Sequence, residues 1–437
     1  MSILPIFGKC IEIAVDIQLR IYCEKHGLFG AHQHGFRRSR STSTALLTAM
    51  THWRINKTKK KHQGVLLFDL SAAYDLLDKD LFLKKIAIMG IRGRAYEWLS
   101  SYLTGHSQVV QVNGSRSTEQ RLDFGTPQGS GCSFLIFAVF VGDISHWTQN
   151  SKVQAFADDT FITVEADSFQ ELKIKLESEG EKVLNYFNVN LMVTNPSKTG
   201  LLIFHPQSGI SHNDMFSITL AGEQIEEVNE AKLLGLWISS DLKWNFQVKK
   251  LLGDLNYSLS VLCHLQNQLG RKELTMIADG LVMSKIRYCC SVYGVEWLRL
   301  NENDPRTNML SSLQKIQNSA LRIITGSKRV DHVRVTDMLK ATNFLSVNQV
   351  IAYSTLMEMW KARAFNVPVL ESLLDRVRND DRTLRSDSQQ QVKYTPNEYF
   401  ARAAAQLWNR ASDRFRNTNL TVIAKKEAKL LVSTLPI

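Results

Sequence analysis

The sequence predicts an α+β protein. Short β-prone runs at 65–70, 153–164, 199–204 and 231–239 alternate with segments of helical period, and from about 245 the pattern turns helical. A third observation is charge placement. Asp158 and Asp159 lie at the centre of the apolar run VQAFADDTFITV (153–164), and Asp69 ends another apolar run, VLLFDL (65–70). At 437 residues the chain has room for two or three domains.

Taken in order, residues 8–25 carry Ile11, Val15, Leu19 and Tyr22 on one helical stripe. A second helix spans 41–57, opened by Ser41 or Thr42 as cap. After the strand 65–70 comes a helix over 81–90 that Gly90 ends, then one over 95–103. Residues 107–123 read as a hairpin around Asn113-Gly114, because both turn positions need positive φ. GTPQGSG (125–131) is a Gly/Pro turn leading into CSFLIFAVFVG (132–142), a buried helix too short to cross a bilayer. The run 153–164 reads as strand, turn, strand with the two acids at an exposed tip. An amphipathic helix over 168–187 and short strands at 199–204 and 231–239 follow. Helices are then predicted over 245–300, 311–325 and 346–365, a polar linker at 385–391, and a basic helical tail to Ile437.

Lys and Arg number 53 against 42 Asp and Glu, a net charge of +11 that favours an anionic partner. From Arg37 to Lys61 there are eight basic residues and no acid; the run suits a nucleic-acid contact or a solvated loop. The six cysteines form no CxxC pair and have no zinc-finger spacing, so they read as free thiols of a reducing compartment. Lys9, Glu12 and Asp16 break the N-terminal apolar stretch, so no signal peptide is expected there. The expectation is an intracellular protein of the nucleus or cytoplasm, with no membrane partner.

Acids in apolar strands are costly unless compensated. If the two elements are neighbours in one sheet, Asp69 and Asp158 converge, repel and raise each other's pKa. Divalent cations relieve that repulsion and take hard oxygen ligands. Two ions about 4 Å apart clamp the attacking and leaving oxygens of a phosphoryl transfer. On Asp158-Asp159 alone, a solvated hairpin tip is the more frequent case; the upstream Asp69 favours the metal.

Several blocks, in order, resemble the reverse transcriptases of non-LTR (LINE-type, jockey-like and related) retrotransposons. HQHGFRRSRSTSTAL (32–46) resembles the fingers block QxGFRxGRST, and FDLSAAYDLLD (68–78) the first catalytic block. GTPQGSGCS (125–133) resembles the PQG block and FADD (156–159) the second catalytic block. NVNLMVTNPSKTGLLIF (188–204), AKLLGLWISSDLKW (231–244) and LQKIQNSALRIITG (313–326) resemble the blocks beyond.

The resemblance implies a right-hand polymerase fold: fingers and palm over 1–240, a helical thumb over 241–300, and a helical C-terminal extension over 301–437. It implies RNA-directed DNA polymerisation with two Mg²⁺ ions, Mn²⁺ being a substitute, on an RNA template with a DNA primer and dNTPs. By position, Asp69, Asp158 and Asp159 would be catalytic and hold metal together with the Leu70 carbonyl. Lys198 would protonate the leaving pyrophosphate. Arg37, Arg38 and Arg40 would meet phosphates, and Gln128 and Gly129 would line the template–nucleotide pocket. Tyr74 would be the gate against a ribose 2′-hydroxyl; in isolation it reads as a core aromatic. Leu234 and Gly235 would belong to the primer grip.

Two departures stand out. The chain begins inside the first fingers block, without the Arg-Pro-Ile expected before it, which suggests an N-terminally truncated element. Phe134 stands where the family pattern has Pro. The alternative reading is a catalytically inactive nucleic-acid-binding remnant. An RNA-copying RNA polymerase is disfavoured by Tyr74, and a group II intron maturase-like enzyme by the lack of a basic, zinc-binding tail after 240.

Overall fold

The computed structural model describes residues 5–127, 129–194, 199–205, 216–305, 307–365, 367 and 399–437. The chain forms two compact units, Met1–Ser41 with Lys59–Leu234, and Thr42–Thr58 with Gly235–Ile437.

The first unit is built on a four-stranded antiparallel sheet. Its strands are β1 (His62–Phe68), β2 (Ser151–Phe156), β3 (Asp159–Ala166) and β4 (Gly200–Phe204), in the order β2–β3–β1–β4. Central strands are covered on both faces, so they read as continuous apolar runs rather than as alternation. Val65, Leu66, Phe161, Ile162 and Val164 are accordingly all buried. The helix Phe169–Val189 packs against β1 and β3, capped at its start by Ser168, whose hydroxyl accepts the Glu171 N–H at 3.2 Å. Gly64 makes that approach possible: a Cβ there would stand 2.6 Å from Leu176 Cδ1.

The predicted buried helix is Cys132–Phe140, and every residue in it except Phe134 is buried. The first helix runs Ile6–Lys25. Its inward stripe differs from the prediction at one place: Ile11 is 55% exposed while Glu12 is buried. The reason is hydrogen bonding. Glu12 accepts from the Tyr102 hydroxyl at 2.8 Å and from the Gly131 N–H at 3.2 Å, which compensates the buried carboxylate. The hairpin at 107–121 turns at Asn113 and Gly114, with φ of 49° and 83°, the two positive values a type I′ turn requires.

The second unit is mainly helical. It gathers Thr42–Thr58, Asn245–Leu265, Asn308–Thr325, Val347–Phe365, Tyr399–Arg410 and Thr421–Val432 around the buried Trp53, Trp360 and Trp408. The helical run predicted over 245–300 is interrupted at Cys289, whose φ of 50° no helix continues through. The run 231–239, predicted as one strand, is two: Glu230–Leu233 and Leu236–Ser239. Leu234 and Gly235 separate them with φ of 45° and 80°. All six cysteines are free thiols. Among the described residues no helix is long and apolar enough to cross a membrane. The predicted linker 385–391 lies outside the described residues.

Candidate active site

β1 and β3 run antiparallel with Phe68 paired to Thr160, so Asp69 leaves the sheet beside Asp159. β2 and β3 are joined by a two-residue turn, Ala157-Asp158, closed by the pair Phe156–Asp159. Ala157 adopts φ 60°, which reverses the chain in two residues. The three acids therefore lie at the same end of the central strands. Asp69 and Asp158 are half-buried, and Asp159 is exposed over the whole residue. Partial desolvation of the Asp159 carboxyl still raises its pKa, followed by the negative charges of Asp158 and Asp69.

Tyr74 lies within reach of the same charges. Burial and then Asp158 and Asp159 hold its phenol protonated well beyond the ordinary range. Its hydroxyl is buried without a hydrogen-bond partner, so the ring is held by aromatic packing. The ring touches Phe137 at 4.7 Å between centroids and meets Phe134 edge-on at 5.7 Å. Phe36 stacks on the other ring of that pair, 4.4 Å from Phe134.

The segment after Asp69 is fixed by its backbone. The Ser71 N–H donates to the Val193 carbonyl at 2.9 Å, and Leu70, buried, bridges to Thr194. The Thr126 N–H donates to the Tyr74 carbonyl at 3.0 Å and the Gly125 N–H to the Leu77 carbonyl at 2.8 Å. These bonds tie the Tyr74 loop to the Gly/Pro turn. Gly129, in that turn, is exposed with φ 79°. Gln128 and Lys198 lie outside the described residues.

The three arginines are divided. Arg37 forks onto Glu24 at 2.9 and 2.5 Å and donates to the Gly30 carbonyl at 2.8 Å. Arg40 donates to the carbonyls of Ala31 and Gln33, both at 2.9 Å. Burial, then the Arg37 charge, pushes the Arg40 pKa down to about 10. Arg38 is exposed. Leu234 is buried and Gly235 follows it in the same left-handed region.

A divalent metal fits the donor chemistry of Asp69, Asp158, Asp159 and the Leu70 carbonyl, which are all hard oxygens. Among the described residues no three His, Cys, Asp or Glu side chains close on a single point.

Sequence reasoning missed three residues. Gln33 contacts the acid turn directly: its Oε1 accepts the Ala157 N–H at 3.1 Å. Glu12 reads in sequence as a break in an apolar stretch, yet it holds Gly131. Phe36 reads as part of a basic block. All three work through partners 90 or more residues away, which no local pattern reveals.

Residues 1–238 match the family described as reverse transcriptase (RNA-dependent DNA polymerase). Similar curated proteins include a probable RNA-directed DNA polymerase from transposon X-element of Drosophila melanogaster, 22% identical over 80% of this chain and 38% of that protein. Another is from transposon BS of the same organism, 23% identical over 81% of this chain and 39% of that protein. A third is the RNA-directed DNA polymerase from mobile element jockey of Drosophila funebris, 22% identical over 75% and 35%. The chain spans well under half the length of these relatives.

Proposed function

The chain belongs to the reverse transcriptase (RNA-dependent DNA polymerase) family, and from that premise we propose that it polymerises DNA on an RNA template for a non-LTR retrotransposon. The reaction is nucleotidyl transfer from dNTPs to a primer 3′-hydroxyl. The observation that carries the reading is the placement of Asp69, Asp158 and Asp159 at one end of the sheet, beside Tyr74.

Family members generally use divalent metal ions. Asp69 and Asp158 would hold two Mg²⁺ ions, or Mn²⁺, with Asp159 and the Leu70 carbonyl in support. Bound there, the metal would lower the pKa of the primer hydroxyl and neutralise charge on the triphosphate. The chain's own residues orient the reactants. The rigid end of the central strands fixes the carboxylates. The Tyr74 ring, packed on Phe137 and Phe134, would fill the space a ribose 2′-hydroxyl needs and so favour deoxynucleotides. Gln128 and Gly129 would line the nucleotide pocket, Lys198 would give a proton to pyrophosphate, and Leu234 and Gly235 would support the primer end. Arg37, Arg38 and Arg40 would serve the phosphates, Arg38 by direct contact. By this reading residues 1–240 are fingers and palm, 241–300 thumb, and 301–437 a helical extension.

Primer extension by the purified chain tests the reading, with an RNA template, a DNA primer, dNTPs and Mg²⁺, beside Asp158→Asn. Extension by the parent alone supports it. Extension by both removes the metal-site assignment. Tight template binding without extension by either favours the inactive nucleic-acid-binding remnant.

A further inference from the structure

The segment 32–35 lies along β2 in this unit. The His34 N–H donates to the Ala155 carbonyl at 2.8 Å and the Ala155 N–H to the His32 carbonyl at 3.1 Å, with Gln33 and Ala155 bridged in parallel. This pairing carries the Gln33 side chain to the turn that follows. Its Oε1 accepts two N–H groups, from Gly35 at 2.7 Å and from Ala157 at 3.1 Å. Gly35 presses on the same turn: a Cβ there would sit 2.4 Å from the Ala157 nitrogen.

Gln33 is fully buried, yet its Nε2 has no hydrogen-bond partner. Leaving two amide hydrogens dry is unfavourable. An apolar side chain of the same length would spare that cost but leave the Gly35 and Ala157 N–H groups without an acceptor. The bonds that Gln33 accepts therefore account for the residue. Ala157 holds a left-handed conformation that a residue with a Cβ adopts reluctantly, and Asp158 is the next residue.

We infer that Gln33 is a positioning residue: its carbonyl oxygen pins the Ala157 N–H and so aims the Asp158 carboxylate. The inference rests on the metal-site reading above. Gln33 touches no reacting atom in this role. It acts through one peptide group, as outer partners orient the ligands of a metal site.

The test is Mn²⁺ binding by the full chain, followed by electron paramagnetic resonance of the free ion, in the parent, Gln33→Met and Asp158→Asn. Hydrogen exchange of the peptide around 154–159 and the thermal midpoint are read on the same samples. The expected result for Gln33→Met is a Kd for Mn²⁺ raised about tenfold or more, the range seen when outer-shell partners are removed. Exchange at the turn should quicken, with the β3 amides little changed and the midpoint lowered by the loss of the acceptor for two buried N–H groups. A merely structural role would move the midpoint and leave Mn²⁺ affinity alone. Gln33→Met binding Mn²⁺ within twofold of the parent, while Asp158→Asn loses it, overturns the positioning role alone. A parent no better than Asp158→Asn overturns the metal site, and the positioning role with it. If Gln33→Met does not fold, Gln33→Asn decides by the same readings, because it keeps an amide but withdraws the oxygen by one methylene.

Discussion

Phe134 stands edge-on to Tyr74, with ring centroids 5.7 Å apart and planes at 83°. It is the one exposed residue of an otherwise buried helix, and Phe36 covers its other side. A proline at 134, as in the family pattern, would leave that edge of Tyr74 without an aromatic neighbour. Tyr74→Ala is therefore expected to lower discrimination between dNTP and rNTP by about 10- to 100-fold, the loss of 1–3 kcal/mol of steric selection. Phe134→Pro should lower it by a smaller factor. The measurement is the ratio of kcat/KM for the two nucleotides. An unchanged ratio in Tyr74→Ala would place that ring in the core alone.

Much of this was legible in the sequence. The elements of the first unit follow from period and punctuation: the Asn113-Gly114 turn, the buried helix after GTPQGSG, and the strands ending in Asp69 and holding Asp158. The acids were readable because charge inside apolar strands is costly enough to need a purpose. Three features were not readable. Glu12 took the inward position assigned to Ile11 because its partners, Tyr102 and Gly131, arrive from far along the chain. The break at Leu234-Gly235 shows only as φ. Thr42–Thr58 packs with the second unit although sequence neighbours on both sides belong to the first, and period alone gives a helix no address.

Gly125 marks where the Tyr74 loop meets the Gly/Pro turn. Its φ is 79°, and a Cβ would stand 2.7 Å from the Asp75 carbonyl oxygen. Both strain and crowding oppose any side chain here. Gly125→Ala should destabilise the chain by about 1–3 kcal/mol, seen as a lower urea midpoint with unchanged slope. A midpoint equal to the parent's would mean that the loop has room to move.

The three arginines should separate into two classes. Arg37 is locked by Glu24 and the Gly30 carbonyl, and its side chain is only 10% exposed. Arg37→Gln should lower stability by about 1–3 kcal/mol, since the carbonyl and carboxylate lose their donor. Arg38, exposed, should contribute to RNA binding instead. Arg38→Gln should reduce the slope of log K against log salt by about 0.7–0.9, one phosphate contact. Titrations at several salt concentrations decide it. Equal slopes in parent and Arg38→Gln would remove that contact.

His32 and His34 predict a pH dependence of stability. Both are buried, and burial is the first cause of pKa values lowered to about 4 and about 3. For His34 the cations of Arg40 and then Arg37 add to this; for His32 a backbone bond to Val141 opposes it, while Arg37, His146 and Arg40 add. In the folded chain both rings are neutral at pH 5, whereas an unfolded histidine titrates near 6.5. Protons therefore bind the unfolded chain first as pH falls. Stability is level above about 7 and drops from about 6.5 downward, by about 2 kcal/mol per histidine at pH 5. The parent should lose stability between pH 7.5 and 5.0, and His32→Gln with His34→Gln should flatten that fall even if it is weaker at pH 7.5. Denaturant midpoints at the two pH values give the comparison. A parallel fall in the double variant would assign the pH dependence to other groups.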